Sequence, residues 1–223
     1  MKLALFDLDH TLLPIDSDQS WGDFTTTLGW TDPTEFTQKN DAFYAHYQAG
    51  TLDIHDYVRF ATEAFRIRPR EEAEAAHARF MREVIQPAIR PEALALLEKH
   101  RAAGEQLLII TATNEFVTRP IAHALGVEEL IAVELVQDDG GWYTGEIQGV
   151  PSLREGKVER LQQWFHQRGL DWDAVETTFY SDSSNDIPLL QRVNHPVATN
   201  PDAKLKAFAL EKGWPILELF PTA

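Results

Sequence analysis

The sequence predicts an α/β fold, in which a parallel sheet lies between two layers of helices and an all-helical segment follows the first strand. Apolar runs at residues 3–6 and 107–110 are typical of strands covered on both faces, and helices alternate with such strands through the second half of the chain. Residues 17–86, in contrast, carry several helix signals and no strand-like alternation. A sheet with a helical insertion accounts for all three observations.

The insertion divides the chain into two expected units. The core would comprise residues 1–15 and 88–223, and the cap would comprise residues 16–87. Because the insertion begins directly after the first strand, we expect it to lie over the carboxyl edge of the sheet, where ligands bind in such folds and where it can act as a lid.

Helix boundaries in the cap follow from residues that favour helix ends. Asp32 and Pro33 begin a helix that Gly50 ends, Asp53 begins a second, and residues 69–86 are typical of a third. Apolar and aromatic side chains recur in the first two helices at close to the helical period, which predicts packing between helices. These side chains are Phe36, Phe43, Tyr44, Tyr47, Tyr57, Val58, Ala61 and Phe65.

The second half of the chain repeats a strand–helix pattern, interrupted by one hairpin signal at residues 138–141. Proline and glycine mark several boundaries, since Pro91 begins a helix that ends at Gly104 and Gly126 ends another. In chain order, the expected elements are a helix at 91–104, a strand at 107–110, a helix at 114–125, strands at 130–136 and 142–147, a helix at 153–169, a strand at 177–180, a helix at 185–192, a strand at 196–198 and a helix from 202.

Composition restricts the classes of partner. The chain has 223 residues, of which 43% are hydrophobic, and its formal charge of −15 with no dense basic run opposes binding to nucleic acid or to an anionic membrane. No run approaches the roughly 20 apolar residues of a membrane span, so a cytoplasmic protein is expected. Because cysteine is absent, a metal would be bound through oxygen or imidazole, and an oxygen-rich site favours Mg²⁺. The sequence carries no signal of oligomeric state.

Two acids stand at the end of the first predicted strand. Alternation along an extended chain places Asp7 and Asp9 on one side and Leu8 on the other, at the edge where α/β sheets bind ligands. Two close carboxylates repel each other and favour a bound cation. The alternative is that both acids only end a strand and begin a solvated turn.

Later strands also end in polar residues. Thr111 stands at a helix start with free backbone N–H groups, and Asp182 and Asp186 follow another strand, four residues apart and beside the amide of Asn185. Lys157 is one of few cations expected near these groups. Each feature also has an ordinary explanation, namely a helix N-cap, an acidic first turn favoured by the helix dipole, and a solvated lysine.

Together these residues resemble the haloacid dehalogenase (HAD) superfamily of aspartate-dependent phosphatases over nearly the whole chain. Residues 7–11 match its first motif, D-x-D-x-T, Thr111 its second, Lys157 its third and residues 182–186 its fourth. The large helical insert between the first two motifs, and the hairpin before Lys157, resemble the phosphoserine-phosphatase-like branch, subfamily IB. The resemblance implies a three-layer, Rossmann-like core.

The resemblance also implies a role for each acid. Asp7 would attack phosphorus and form an aspartyl phosphate, and Asp9 would protonate the leaving group and then activate water. Mg²⁺ would be held by Asp7, the backbone carbonyl of Asp9 and Asp182, while Asp186 would orient a metal-bound water or Lys157. Since dehalogenases of the superfamily lack an acid at the position of Asp9, hydrolysis of a phosphate ester is favoured.

The expected function is Mg²⁺-dependent hydrolysis of a small phosphorylated metabolite. The transferring phosphoryl group would be met by hydroxyl, amide, ammonium and backbone N–H groups. By resemblance, these groups belong to Leu8, Thr111, Ala112, Lys157 and Asn185. Two alternatives stay open, a phosphotransferase or mutase of the same superfamily and a noncatalytic module that binds Mg²⁺ and phosphate.

Substrate preference is expected to reside in the cap. In phosphoserine phosphatases an acid shortly after the first motif reads the substrate amine, and Asp16 falls there, although Asp16 also suits the N-cap of the first cap helix. The family's cap arginine, which holds the substrate carboxylate, is replaced by Ala61, and Arg59 lies about 200° away around the helix. A substrate with an amine and no carboxylate, such as histidinol phosphate, therefore fits better than phosphoserine.

Overall fold

The structure, a computed structural model, describes residues 1–220, which form eight strands and ten α-helices. The strands are β1 (Lys2–Phe6), β2 (Gln106–Asn114), β3 (Glu129–Val133), β4 (Leu135–Gln137), β5 (Tyr143–Ile147), β6 (Glu176–Ser181), β7 (His195–Thr199) and β8 (Ile216–Leu217). The helices are α1 (Ser17–Thr27), α2 (Pro33–Ala49), α3 (Ile54–Arg66), α4 (Arg70–Phe80), α5 (Gln86–Ala88), α6 (Pro91–Ala102), α7 (Glu115–Ala124), α8 (Glu155–Gln167), α9 (Ile187–Leu190) and α10 (Ala203–Lys212).

The main sheet has six parallel strands in the order β3-β2-β1-β6-β7-β8. Its strand β1 pairs with β2 on one side and with β6 on the other, so Phe6 stands opposite Ile109 and Tyr180. The backbone N–H of Asp7 donates to Tyr180 O at 2.9 Å, which extends the pairing by one residue. The residues that follow these three strands therefore leave the sheet at one edge.

Helices cover both faces of the sheet, which confirms the predicted three-layer α/β core. Ala4 and Phe6 pack in one cluster with residues of α6 and α7, while Leu3 and Leu5 pack in the other with residues of α8 and α10. All four side chains are fully buried. Each buried leucine or phenylalanine contributes about 1.5–3 kcal/mol relative to exposure, so β1 provides a firm base for the residues after it.

The cap helices α1 to α4 stand between β1 and β2, as predicted. Asp16, Asp32 and Asp53 each accept two backbone N–H groups of the helix they precede, which explains where α1, α2 and α3 begin. At the other end of α2, Gly50 adopts the left-handed conformation with φ of 76°. This conformation is common in helix C-caps and ends α2 where the sequence predicted.

The prediction that the aromatic residues of α2 pack between helices is confirmed for Phe36 and Phe43, whose ring centroids lie 5.5 and 5.2 Å from that of Phe60 in α3. It is wrong for the two tyrosines, because Tyr44 is 47% exposed and Tyr47 lines a cavity above the sheet edge. The aromatic residues do share one face of α2, but the C-terminal half of that helix faces the cavity. A helical period reports which side chains share a face and not what that face contacts.

The remaining differences are local. Residues 130–136, predicted as one strand, divide into β3 and β4. The hairpin predicted around residues 138–141 is confirmed, because β4 pairs antiparallel with β5 in a separate sheet that packs on α3. Strand β8 was not predicted because two residues are too few to show a pattern. No helix within residues 1–220 is long and apolar enough to cross a membrane.

Candidate active site

A cavity of about 630 Å³ lies between the carboxyl edge of the sheet and the cap. Its core wall carries Asp7 and Asp9, which follow β1, and Asp182, which follows β6, while Lys157 enters from α8. Thr111, predicted at a helix start, also lines this wall but lies within β2, because that strand continues to Asn114. The cap wall comes from α1, α2 and α3. The structure therefore brings together residues from all four sequence motifs.

Lys157 joins two of the predicted acids. Its ammonium donates to Asp7 Oδ1 at 2.8 Å and to Asp186 Oδ2 at 2.7 Å, and the Ser181 hydroxyl also donates to Asp186 Oδ2 at 2.7 Å. Burial acts to lower the pKa of Lys157, but the charges of Asp186 and Asp7 offset it and raise the pKa above its usual value. Lys157 is therefore a cation at neutral pH and not a solvated surface residue.

Asp7 and Asp182 converge on the hydroxyl of Thr11. Thr11 Oγ1 lies 3.2 Å from Asp182 Oδ1 and 3.5 Å from Asp7 Oδ2, and it accepts from the backbone N–H of Asp182 at 3.0 Å. Burial, followed by the charges of Asp7 and Asp186, raises the pKa of Asp182 well above its usual value. Crowded carboxylates of this kind are relieved by a cation, and hard oxygen donors suit Mg²⁺.

The described residues 1–220 contain no cluster of three histidine or acidic side chains arranged for a metal. The carboxylates of Asp7 and Asp182 are the two acidic groups that approach the same point, the Thr11 hydroxyl. Asp186 instead directs Oδ2 toward Lys157 and Ser181, and these are the contacts expected of a residue that orients Lys157.

Asp9 is held by hydrogen bonds from the start of α1 and from β2. Its Oδ1 accepts from the backbone N–H of Ser17 at 2.8 Å, and its Oδ2 accepts from the Thr113 hydroxyl at 3.0 Å. Burial, and next the charge of Asp16, raises the pKa of Asp9 well above its usual value. A carboxyl group with a raised pKa keeps its proton to higher pH, which suits it to act as an acid.

Four of the five predicted phosphate-binding residues line the cavity, namely Thr111, Ala112, Lys157 and Asn185. Leu8 is fully buried behind it, and its carbonyl accepts from the backbone N–H of Leu12 at 2.8 Å, which turns the chain sharply after β1. Asn185 also connects core and cap, because its Oδ1 accepts from Arg154 Nε at 3.1 Å and its Nδ2 donates to Tyr47 O at 3.2 Å.

The helix-capping interpretation of Asp16 is confirmed, although Asp16 also lines the cavity. Its Oδ1 accepts from the backbone N–H groups of Asp18 and Gln19, each at 2.9 Å. Arg59 lies outside the cavity, as its position around α3 predicts, and forms bonds of 2.9 and 3.0 Å with Glu146 of the hairpin.

The sequence did not indicate that Asp18 lines the cavity as a buried acid. This side chain lines the cavity at 6% exposure, accepts from Tyr57 Oη at 2.8 Å and accepts from Asn114 Nδ2 at 3.3 Å. Burial, followed by the charge of Asp16, raises its pKa to about 7. In the sequence, an acid two residues after an N-cap is indistinguishable from one that the helix dipole favours.

Few positively charged side chains line the cavity. Among the lining residues that the structure describes, the lysines and arginines are Lys157 and Lys204. Lys157 is paired with Asp7 and Asp186, and Lys204 Nζ donates to Gln48 O at 2.8 Å.

Comparison with known proteins identifies the family. A family model of haloacid dehalogenase-like hydrolases matches residues 4–191. A histidinol-phosphatase of Neisseria meningitidis serogroup C is 44% identical over 217 residues, which cover 97% of this chain and 98% of that protein. A phosphoserine phosphatase of Mycobacterium tuberculosis is 29% identical over 216 residues, 96% of this chain and 69% of that protein.

Solved structures agree on the fold. A crystal structure of a protein of unknown function from Bordetella pertussis Tohama I has a TM-score of 0.91 at 45% identity and covers 98% of this chain and 99% of its own. A substrate-bound phosphoserine phosphatase has a TM-score of 0.68 at 19% identity, with 97% and 92% covered, which is a likeness of fold. The chain belongs to the haloacid dehalogenase-like hydrolases, as a phosphoric monoester hydrolase.

Proposed function

We propose that the protein is a Mg²⁺-dependent phosphatase whose substrate is a small phosphomonoester with an amine and a flat ring, of which histidinol phosphate is the best candidate. The observation that carries this proposal is the chemistry of the cap wall, where Asp16 and Asp18 line the same cavity as the rings of Phe43 and Tyr57. The 44% identity to a histidinol-phosphatase over nearly the whole chain supports it.

The two cap-side acids favour a cationic leaving group. Tyr57 and Asn114 hold the Asp18 carboxyl in place, and an ammonium or imidazolium beside it would favour its ionised form. The aromatic faces of Phe43 and Tyr57 suit a flat or cationic group. A substrate carboxylate would meet acids here with no free cation among the described lining residues, so phosphoserine is disfavoured.

The chemistry proceeds through Asp7. Lys157 binds one oxygen of Asp7 and orients the carboxylate, which attacks phosphorus while the bond from phosphorus to the leaving oxygen breaks. Asp9 gives its proton to that oxygen. It then takes a proton from a water molecule that attacks the aspartyl phosphate, and this step releases phosphate and regenerates Asp7.

Asp7, Asp182 and the backbone carbonyl of Asp9 would hold Mg²⁺. The metal ligands are all oxygens. Burial raises the pKa of Asp182, and the charges of Asp7 and Asp186, which a cation would neutralise, raise it further, so the site fits this metal. When bound, Mg²⁺ would balance charge on the phosphoryl oxygens. Lys157 and the Thr111 hydroxyl would add to this neutralisation, as would the backbone N–H groups near Ala112.

Phosphate release from a panel of esters tests the proposal. Histidinol phosphate should show the highest kcat/KM, above phosphoserine, sugar phosphates and p-nitrophenyl phosphate, and chelation of Mg²⁺ should abolish turnover. The Asp7→Asn variant should reduce turnover to background, because an amide is not a nucleophile. Dominant turnover of phosphoserine would overturn the substrate assignment. Release of phosphate with water as sole acceptor would argue against phosphotransfer.

The role of Asp18 has a matched control. Asp18→Asn should raise KM for histidinol phosphate about tenfold, since it removes a charge-assisted contact, and should change KM for p-nitrophenyl phosphate little. Asp23→Asn makes the same change on the exposed side of α1 and should alter neither value. If Asp18→Asn affected both substrates equally, Asp18 would not read the leaving group.

A further inference from the structure

The C-terminal end of α2 contacts the core directly beside the fourth motif. The Tyr47 hydroxyl lies 3.0 Å from Ser183 Oγ, Asn185 Nδ2 donates to Tyr47 O at 3.2 Å, and Lys204 Nζ donates to Gln48 O at 2.8 Å. These five residues form the α2–core contact. Three of them, Tyr47, Ser183 and Asn185, also line the cavity.

The chemistry of a helix end explains why α2 meets the core here. The last carbonyls of a helix lack partners within it, and its C-terminus carries partial negative charge. Asn185 and Lys204 supply donors to two of these carbonyls. Arg154 brings a second positive charge to this end of α2. Its guanidinium lies beside Gly50, with Nη2 3.6 Å from the position that a Cβ atom at Gly50 would occupy.

Hydrogen bonds lead from this contact to the nucleophile. Ser183 Oγ accepts from the backbone N–H of Asn185 at 3.2 Å, which caps the short 3₁₀ turn Ser184–Asp186. The backbone N–H of Ser183 donates to Ser181 Oγ at 3.1 Å, and Ser181 Oγ donates to Asp186 Oδ2 at 2.7 Å. Asp186 in turn accepts from Lys157, which also binds Asp7.

The Tyr47 phenol acts as a neutral partner. Burial, together with the charges of Asp186 and Asp7, raises its pKa above the usual value, so it does not ionise near neutral pH. No motif includes Tyr47, and its contact with Ser183 joins residues 136 positions apart.

We propose that Tyr47 is a positioning residue whose hydroxyl, acting through Ser183, fixes the turn that carries Asp186 and thereby aligns Lys157 with Asp7. The inference rests on the proposed hydrolysis at Asp7. It adds a residue of the cap to the groups that set the rate of the chemical step, with no contact between that residue and the reacting atoms.

The test compares Tyr47→Phe with Tyr44→Phe, which removes a hydroxyl from the same helix at a position with no hydrogen bond to its side chain within residues 1–220. With p-nitrophenyl phosphate, Tyr47→Phe should lower kcat about fivefold, the loss expected for one hydrogen bond, and leave KM nearly unchanged. Calorimetric titration with Mg²⁺ alone should show weaker binding, because Asp182 directly precedes Ser183. Tyr44→Phe should change none of these values.

A double-mutant cycle identifies the contact. If Tyr47 acts through Ser183, then Tyr47→Phe should cause little further loss of kcat in a Ser183→Ala background. Additive losses would overturn the proposal, and so would a rise in KM with kcat unchanged, which would make Tyr47 part of the substrate wall. A fall in kcat that merely follows a lower melting temperature would also overturn it.

Failure of the proposed function would look different from failure of this inference. If wild-type protein released no phosphate in the presence of Mg²⁺, hydrolysis at Asp7 itself would be refuted. If wild-type protein is active and Tyr47→Phe matches it in kcat and in Mg²⁺ binding, only the role of Tyr47 is refuted.

Discussion

Asp7 and Asp9 are two residues apart and meet different surroundings. Asp7 accepts a hydrogen bond from the buried Lys157 ammonium. Asp9 is turned toward the start of α1, where burial and the charge of Asp16 raise its pKa well above the usual value. Different environments at one site suit two acids to different tasks, which in the proposed mechanism are those of a nucleophile and a proton donor.

Asp9→Asn should separate the two chemical steps. With an alkyl phosphate, kcat should fall about 10²- to 10⁴-fold, because the alkoxide is no longer protonated. With p-nitrophenyl phosphate, whose leaving group needs little protonation, a rapid burst of nitrophenol should precede slow turnover as the aspartyl phosphate accumulates. Equal losses of burst and steady-state rate on both substrates would contradict this assignment.

The pH dependence of the wild-type enzyme follows from the same environment. In the proposed mechanism the protonated form of Asp9 is the active acid, so kcat/KM for an alkyl phosphate should fall as pH rises through its raised pKa. A pH–rate profile checks this sign. A rate that rises with pH over that range would contradict proton donation by Asp9.

Among the elements, the cap helices show how local chemistry sets boundaries. Asp32 accepts from the backbone N–H groups of Thr34 and Glu35, each at 2.9 Å, and Gly50 ends the same helix in a left-handed conformation. Both signals are visible in the sequence because they depend on neighbouring residues alone. The surface that α2 contacts depends on the rest of the molecule.

Asp32→Ala should lower the free energy of unfolding by about 1 kcal/mol, the usual cost of losing an N-cap. Urea denaturation of both variants checks this, with Asp32→Asn as the control, because asparagine retains a capping oxygen. The active-site contacts of Asp7 and Lys157 involve no atom of Asp32, so kcat should remain close to that of the wild type. A loss as large for Asn as for Ala would show that capping is not the cause.

At the scale of the whole molecule, an aromatic cluster joins cap and core. Trp21 and Phe80 of the cap and Phe116 of the core pack around His77, whose ring centroid lies 5.0 Å from that of Phe116. His77 Nε2 donates to Val117 O at 3.2 Å. Burial lowers the pKa of His77 to about 4, against the opposing effect of this hydrogen bond, so the folded protein holds it neutral.

This histidine should make stability depend on pH. Between about pH 6.5 and pH 4 the unfolded chain binds a proton that the folded protein does not, so stability falls as pH falls, by up to about 3 kcal/mol. Urea denaturation at pH 7 and pH 5 should show a smaller difference for His77→Gln, which keeps a donor and does not titrate. An unchanged difference would exclude His77 as the source.

Most of the fold was predictable because its signals are local. Apolar runs mark the buried strands, and aspartate, proline and glycine mark helix ends, so the three-layer core and the helical cap followed from the sequence. The very short strand β8 and the division between β3 and β4 did not, since each depends on pairing with a partner strand. The motif acids were recognised because parallel strands deliver their carboxyl ends to one edge.

The sequence by itself was enough to predict the residues of the proposed chemistry. Asp7, Asp9 and Asp182 follow the ends of β1 and β6, Lys157 lies in the first turn of α8, and the resemblance to the haloacid dehalogenase family assigned their expected roles. Only the tertiary structure decided that Asp18 and Tyr47 face the same cavity. Their partners, Asn114 and Ser183, are 96 and 136 positions away in the chain. Such contacts arise from how the cap packs on the core, and a helical period does not distinguish a face that meets a cavity from one that meets another helix.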